Sequence, residues 1–247
     1  MERKPTVVAA IQARLGSKRL PDKVVMPLFG TPIVAHIAQR LSRATQLDQI
    51  VIATSTEKKD DPLAAVSREQ GIECVRGSER DLVERLLAVA NSCGADAIVR
   101  ITGDSPLVDP GWVDRAVKAF RDTPALALVT TAPPPSFPEG LNFEIVSRRA
   151  LESLDNILTD PDDREAFILY LINHSEAFPR HTVRYTKDAS DIRLTLDYPE
   201  DFFLIEAIYG HFRARGQAFF DLEDTLHFLA GNPELAAINR HRIDRTK

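Results

Sequence analysis

The 247-residue chain carries 31 basic and 36 acidic residues, a formal net charge of −5, and is 44% apolar and 27% charged. This composition is typical of an ordinary globular protein, and the absence of a basic domain argues against nucleic acid as the main partner. Cys74 and Cys93 show neither metal-site nor redox-motif spacing, which is typical of a reducing cytosol. No apolar run reaches the length of a membrane span, so we expect a cytoplasmic protein that does not enter a membrane.

Short apolar runs alternate with amphipathic segments along the first half of the chain. The runs predicted as buried strands are 6–11, 49–54, 72–75, 97–101 and 126–130. The predicted helices are one capped by Thr31 and opened by Pro32, and those over 61–71, 78–91 and 110–120. This alternation predicts an α/β fold in which a mostly parallel, twisted sheet carries helices on both faces.

The sequence changes character at 131–140, where four prolines and Gly140 predict a loop or hinge. The strands predicted beyond it are 142–146, 183–186 and 192–196. The helices predicted there are one capped by Ser147, and those over 162–174, 199–212, 222–229 and 233–240. We interpret 1–247 as a single domain, with 140–247 completing it and supplying a small flap or dimerisation arm.

The segment 13–23 directly follows the first predicted strand. Four cations fall within ten of its residues: Arg14, Lys18, Arg19 and Lys23. Gly16 allows the backbone to bend, and successive N–H groups in such a turn can bind an anion at the carboxyl edge of an open sheet. The pattern matches neither the P-loop nor the dinucleotide fingerprint. The residues alone therefore favour a phosphate-binding loop and a solvated basic loop equally.

Three further positions carry groups that suit a charged ligand. Asp104 follows the strand at 97–101 in a turn stiffened by Pro106, and such a carboxylate suits Mg²⁺. Asp197 precedes a helix that begins at Pro199, where an N-cap is the simpler interpretation. Arg164 has a guanidinium that can bind a carboxylate, although an exposed charged face of a helix is the simpler interpretation.

Five blocks of this sequence resemble the cytidylyltransferases of the CMP-sugar-acid synthetase superfamily, and most closely the branch of the spore coat polysaccharide biosynthesis protein F. The blocks are IQARLGSKRLPDKVVMPLFGTPIVAHI, VIATST, RGSERDLVERL, ADAIVRITGDSPLVDP and DIRLTLDYPED. The resemblance covers nearly the whole chain. It implies a Rossmann-like nucleotidyltransferase fold of the glycosyltransferase-A type, which binds CTP and Mg²⁺ and forms a homodimer.

The resemblance also implies roles for individual residues. Those implied to bind the nucleotide are Ala13, Arg14, Gly16, Ser17, Arg19 and Lys23, with Gly77 and Ser78 near the base. Arg14, Lys23 and Asp104 would form the catalytic set. Asp104 and Asp197 would bind the metal, while Arg164 and Glu144 would lie on the acceptor side.

Three departures from the family pattern fall in the second half of the chain. Relatives read R-E-H-V-T-P where this chain has REAFIL at 164–169, and Asn142 and Tyr198 replace an Asp and a Thr of two other motifs. We therefore predict that 1–131 form a nucleotide-binding half and that 140–247 form the acceptor side and dimerisation arm.

The predicted reaction is Mg²⁺-dependent transfer of CMP from CTP to an acidic sugar or related anion, with release of pyrophosphate, in polysaccharide or glycoconjugate biosynthesis. The alternatives are an enzyme that uses another nucleotide or a nucleotide sugar, and a relative that binds nucleotide without turnover.

Overall fold

The computed structural model describes residues 3–243. Its strands are β1 Val7–Gln12, β2 Pro27–Leu28, β3 Thr31–Pro32, β4 Gln49–Ser55, β5 Glu73–Gly77, β6 Ala97–Thr102, β7 Leu128–Thr130, β8 Glu144–Ser147 and β9 Arg180–Thr182. Its α-helices are α1 Ile33–Leu41, α2 Asp61–Glu69, α3 Leu82–Cys93, α4 Pro110–Asp122, α5 Arg148–Ile157, α6 Pro161–Glu165, α7 Phe167–Asn173, α8 Pro199–Ala214, α9 Leu222–Ala230 and α10 Pro233–Ala237. Among these helices, none is long and apolar enough to cross a membrane.

Seven strands form one sheet in the order β5-β4-β1-β6-β8-β7-β9, and β2 pairs with β3 in a separate hairpin. The strands β5, β4, β1 and β6 run parallel to their neighbours. Strand β8 is antiparallel to both β6 and β7, and β9 is again parallel to β7. The prediction of a mostly parallel sheet is confirmed.

Strand β1 shows why the sheet is covered on both faces. Val7, Ala9 and Ile11 belong to one apolar core, whereas Val8 and Ala10 belong to the other. All five side chains are fully buried, as expected when alternate residues of a central strand point to opposite faces. Helices α1, α4, α8 and α9 cover the first core, and α3, α5 and α7 cover the second. Helices from both halves of the chain therefore pack on the same strand.

The parallel pairing of β1 and β6 brings two loops together. Gln12 lies opposite Thr102 in the register, and Gly103 N–H donates to the Gln12 carbonyl at 2.9 Å. A Cβ on Gly103 would lie 2.9 Å from that of Ala13. Glycine therefore permits the turn that carries Asp104 to lie directly against the start of the segment 13–23.

The predicted cap at Thr31 is wrong. Thr31 pairs with Leu28 in the β2–β3 hairpin, and α1 begins only at Ile33 without a side-chain cap. Its first amides instead donate to backbone carbonyls: Ile33 N–H to Met26 at 3.0 Å, and Val34 N–H to Val24 at 2.9 Å. Tertiary contacts replace the local cap, because backbone carbonyls of the preceding turn satisfy the same donors.

Helix α3 begins four residues later than predicted from Ser78. Strand β5 continues to Gly77, which pairs with Ser55 at the end of β4. The helix then starts at Leu82, because the Asp81 carboxylate accepts the Glu84 N–H at 2.9 Å and so provides the N-cap. The cap at Ser147, by contrast, is confirmed, since its hydroxyl accepts the Ala150 N–H at 3.1 Å.

The second half departs more from its predicted elements. The helix predicted over 162–174 is divided at Ala166 into α6 and α7. The strand predicted at 183–186 lies earlier, at β9. The strand predicted at 192–196 is an extended segment with a single bridge between Arg193 and Glu139. Its amides find partners elsewhere, since Leu196 N–H donates to the Asp104 carbonyl at 2.9 Å.

Candidate active site

The segment 13–23 is anchored to the carboxyl ends of the parallel strands. Ala13 N–H donates to the Ala53 carbonyl at 3.2 Å, and Leu15 N–H donates to Asp60 at 2.6 Å. Asp60 is fully buried and also accepts the Ser55 hydroxyl. Gly16 then adopts a φ of +102°, which L side chains rarely adopt. The segment is therefore a fixed loop whose path needs glycine at one point.

A cleft of about 410 Å³ opens between this loop, the 102–104 turn and Asp197. The predicted site residues that line it are Ala13, Arg14, Gly16, Ser17, Arg19, Lys23, Asp104 and Asp197. The sequence prediction omitted Gln12, Lys59, Glu79 and Thr102, which line it as well. Gln12 and Thr102 are the last residues of the paired strands β1 and β6. Their position at the carboxyl ends of predicted strands is a sequence signal that could have identified them. Lys59 and Glu79 carry no sequence signal, because only the fold brings them to the cleft.

Lys23 lies at the centre of the charged groups in the cleft. Its ammonium nitrogen is 2.9 Å from an Asp104 oxygen and 2.6 Å from an Asp197 oxygen, and its side chain is 11% exposed. Two carboxylates from distant parts of the chain therefore converge on one cation. Both carboxylates of the cleft are thus in contact with a cation of the protein itself.

Arg19 completes the set of cations around Asp197, with its guanidinium 2.8 Å from the second carboxylate oxygen. Burial disfavours the ionised form of Asp197, but the hydrogen bonds from Arg19 and Lys23 outweigh it and lower the pKa of this carboxyl. The hydrogen bond from Arg19 to Asp197 in turn raises the pKa of the guanidinium. Asp197 is therefore ionised throughout the neutral range.

Asp201 positions the backbone of Asp197 through hydrogen bonds. Its fully buried carboxylate accepts the Asp197 N–H at 2.8 Å and the Tyr198 N–H at 2.9 Å. Arg193 donates two hydrogen bonds of 3.0 Å to it, and Asn239 donates one of 2.7 Å. Asp201 thus provides the carboxylate that caps α8. The N-cap interpretation of Asp197 is excluded, and its side chain faces the cleft.

Arg14 is shared between the cleft and the second half of the chain. Its guanidinium lies 2.8 Å from a Glu165 oxygen and also donates to the Glu79 carbonyl. The other Glu165 oxygen is 4.0 Å from a nitrogen of Arg85, whose side chain is fully buried. Within residues 3–243 that oxygen and two Arg85 nitrogens have no hydrogen-bond partner. Burial and the nearby charge of Arg14 lower the pKa of Arg85. Glu165 is therefore the common counterion of two arginines.

Arg164 does not line the cleft. Its guanidinium donates to Asp81 at 2.6 Å, to Asp155 at 2.6 Å and to the Leu158 carbonyl at 2.9 Å. Burial opposes its charge, but the two carboxylates raise the pKa of this guanidinium. These contacts join α6 to the cap of α3 and to the end of α5, so they explain the residue without an acceptor.

Glu144, Gly77 and Ser78 also lie outside the lining of the cleft. Glu144 pairs at 2.7 Å with Arg100, which donates at 2.8 Å to the Gln12 side chain. Glu144 is thus one residue removed from the cleft. A Cβ on Gly77 would lie 2.9 Å from the Arg85 backbone, so the glycine allows α3 to pack closely. Ser78 N–H donates to Glu84 at 2.6 Å.

The carboxylates of the cleft suit a Mg²⁺ ion that is shared with phosphate and water better than a metal ion that is bound by protein groups alone. In the part of the chain that the structure describes, no three His, Cys, Asp or Glu side chains form a metal-binding group. Mg²⁺ commonly takes only one or two protein carboxylates and completes its shell with phosphate oxygens and water. Asp104 and Asp197, which converge on the same ammonium, offer that donor set.

Comparison with known proteins decides the family. The model of the family described as cytidylyltransferase matches residues 8–226. This chain belongs to the cytidylyltransferase family. Cytidylyltransferases are nucleotidyltransferases, so the predicted family and enzyme class are confirmed.

Relatives of this cytidylyltransferase cover nearly all of it. It is 30% identical to the spore coat polysaccharide biosynthesis protein SpsF of Bacillus subtilis (strain 168), over 93% of this chain and 96% of that protein. A solved cytidylyltransferase from Leptospira borgpetersenii superposes with a TM-score of 0.87 at 30% identity, covering 94% of this chain and 97% of that one.

A third likeness shows the fold alone. CMP:2-keto-3-deoxy-manno-octonic acid synthetase, solved in complex with CTP, superposes with a TM-score of 0.65 at 20% identity, over 83% of this chain and 99% of that one. Together with the Leptospira structure it confirms the predicted nucleotidyltransferase fold.

Proposed function

We propose that this cytidylyltransferase transfers CMP from CTP to an acidic sugar or a related anion and releases pyrophosphate. One observation carries the proposal: Lys23, Asp104 and Asp197 converge in a cleft whose loop also contributes Arg14 and Arg19. Cations that can bind phosphate therefore lie beside carboxylates that can bind a divalent metal.

The charges of the cleft suit an exchange of partners when the nucleotide binds. In the structure Lys23 and Arg19 together balance the charges of Asp104 and Asp197. Phosphate oxygens would take over Lys23, Arg14 and Arg19. Asp104 and Asp197 would hold Mg²⁺, which supplies Lewis-acid charge to the phosphates. Each charge then retains an opposite partner, so the exchange avoids an uncompensated buried charge.

Catalysis rests on positioning and on charge stabilisation by this chain's own groups. Lys23 and Arg14 would stabilise the charge that develops on the phosphates, and the loop fixed by Asp60 would hold them in place. Gly77 and Ser78 stay predictions for the base. On the acceptor side Glu144 is supported by its link through Arg100 to Gln12, whereas the guanidinium of Arg164 already has three partners.

The relatives support the proposed substrates and context. The structural relative that bears CTP is a synthetase of a CMP-linked sugar acid, and the full-length Bacillus relative is named for spore coat polysaccharide biosynthesis. We extend both to this chain and propose a cytoplasmic homodimer that acts in polysaccharide or glycoconjugate biosynthesis. In this proposal 1–131 bind the nucleotide, and 140–247 bind the acceptor and form the dimerisation arm.

The decisive experiment measures pyrophosphate release from CTP and Mg²⁺ with a panel of sugar acids. ATP, GTP and UTP replace CTP in parallel, and Asp104→Asn is the inactive control. We expect release only with CTP and with one class of acid. Release with another nucleotide would overturn the choice of base. CTP binding without release across a complete panel would indicate a binding protein rather than an enzyme.

A further inference from the structure

A second cavity, of about 570 Å³, lies between the β2–β3 hairpin, α1 and the end of α8 with the loop that follows it. It shares no lining residue with the cleft. Its volume lies within the range of small-molecule sites. The cavity is therefore a separate space in which a ligand of ordinary metabolite size fits.

Three guanidinium groups line this cavity: those of Arg40, Arg43 and Arg213. Among residues 3–243, the lining includes no aspartate or glutamate, and none of the three arginines forms an ion pair with a carboxylate. Each cation that lines the cleft, by contrast, forms an ion pair with a carboxylate. This cavity thus concentrates positive charge without the carboxylate partners that the cleft provides.

Arg40 is the most telling of the three, because the residue is only 5% exposed. Its guanidinium donates to two backbone carbonyls, those of Val108 at 2.7 Å and Phe220 at 2.9 Å. Carbonyl groups satisfy its hydrogen-bond donors but do not neutralise its charge. A buried cation is normally paired with an anion, so an anionic ligand in this cavity would supply the missing charge.

Aromatic rings form the other part of the lining. Arg40 and Arg43 lie over the ring of Phe219 at 5.2 and 4.7 Å, and Arg213 lies over Phe29 at 5.4 Å. A guanidinium that lies over a ring can still donate N–H groups to oxygen atoms. Phe29 itself is 43% exposed, so an apolar ring surface borders the cations.

We propose that this cavity binds a small organic phosphate that carries a planar ring. Guanidinium groups bind phosphate oxygens in pairs, and a phosphate ester brings about two negative charges, which matches three unpaired cations better than a single carboxylate does. The exposed ring of Phe29 offers an apolar surface to the ring of the ligand. The proposal is independent of the reaction in the cleft.

Phenyl phosphate is the probe, and its dissociation constant is measured by titration calorimetry on the full chain. We expect the double variant Arg43→Ala with Arg213→Ala to weaken binding at least about tenfold, because it removes two charge-assisted contacts at exposed positions. Arg180→Ala, an exposed arginine outside the cavity, is the matched control and leaves the constant unchanged. Inorganic phosphate binds more weakly than phenyl phosphate, since it lacks the ring.

The Lys23→Ala variant distinguishes binding in the cavity from binding in the cleft. In this variant, phenyl phosphate keeps its affinity for the cavity. Pyrophosphate release from CTP in the double variant remains that of the unaltered chain, so failure of the proposed reaction and failure of this site are distinct results. The proposal is overturned if phenyl phosphate does not bind, or if the double variant binds it as tightly as the unaltered chain. Equal affinity for both phosphates would overturn the role of the rings.

Discussion

The cleft and the surroundings of Arg164 both contain a cation between two carboxylates, but only the cleft is open to a ligand. In the cleft, Lys23 lies between two carboxylates and borders an open volume of about 410 Å³. Arg164, in α6, also contacts two carboxylates, yet it joins α6 to α3 and α5 and does not line the cleft. The side chains of Lys23 and Arg164 are 11% and 12% exposed, so burial alone does not separate them.

This difference shows that the surroundings of an ion pair, and not its presence, indicate a ligand. Under the proposed function, the partners of Lys23 are exchanged for phosphate and metal, because the cleft beside them is open. The partners of Arg164 are two helix termini and a backbone carbonyl, which a ligand has no means to replace. Four predictions test this contrast, from the largest expected effect to the smallest.

Lys23→Ala gives the largest expected loss. We expect kcat/KM for the cytidylyl transfer to fall by a factor on the order of 10²–10³, as when one preorganised charge at a reacting centre is removed. The matched control is Lys18→Ala, an exposed lysine of the same loop that does not line the cleft. Activity within threefold of the unaltered chain would exclude a catalytic role for Lys23.

Arg14→Ala weakens CTP binding by about ten- to a hundredfold, the range for a lost hydrogen bond between charged groups. Calorimetry in the presence of Mg²⁺ measures it. Glu165→Gln serves as the companion variant, because it removes the counterion of Arg14 and leaves the guanidinium itself. Unchanged CTP affinity in Arg14→Ala would show that this arginine serves only to join the loop to α6.

Arg164→Ala lowers the free energy of unfolding by about 1–2 kcal/mol, since it deletes contacts that are largely buried, and leaves CTP affinity unchanged. Urea denaturation and calorimetry provide the two measurements. A raised KM for the acceptor, with stability intact, would instead support the acceptor role that the sequence resemblance implies. That result would remove the contrast between the two regions.

The smallest effect concerns pH. The pKa of Asp197 is lowered in the folded protein, so its ion pairs add stability above the unfolded value of about 3.9, and this stability is lost as the pH falls through the folded value. At pH 7 we expect the free energy of unfolding of the Asp197→Asn variant to be about 1 kcal/mol lower than that of the unaltered chain. This difference in the free energy of unfolding becomes smaller as the pH is lowered. A gap that stays constant down to about pH 2 would contradict this assignment.

The sequence by itself determined the central sheet and the loop. Val7–Gln12 and Ala97–Thr102 are short, apolar and flanked by turn residues, and such runs form buried strands wherever helices cover both faces. The cations of the segment 13–23 follow directly, so their place at the carboxyl edge comes from chain order alone. Local caps such as Ser147 were equally accessible, because both partners lie within one turn.

Only the tertiary structure decided which carboxylates and cations meet. Asp197 resembles a helix cap in sequence, but Asp201 supplies the capping carboxylate. Its buried contact with Arg193 holds it where it accepts the Asp197 and Tyr198 N–H groups, just before α8. The extended segment before Asp197 bonds to the Asp104 carbonyl rather than to a neighbouring strand. Lys59 and Glu79 also line the cleft only because the fold brings them there. These contacts join residues far apart in sequence, and periodicity and capping patterns carry no information about such pairs.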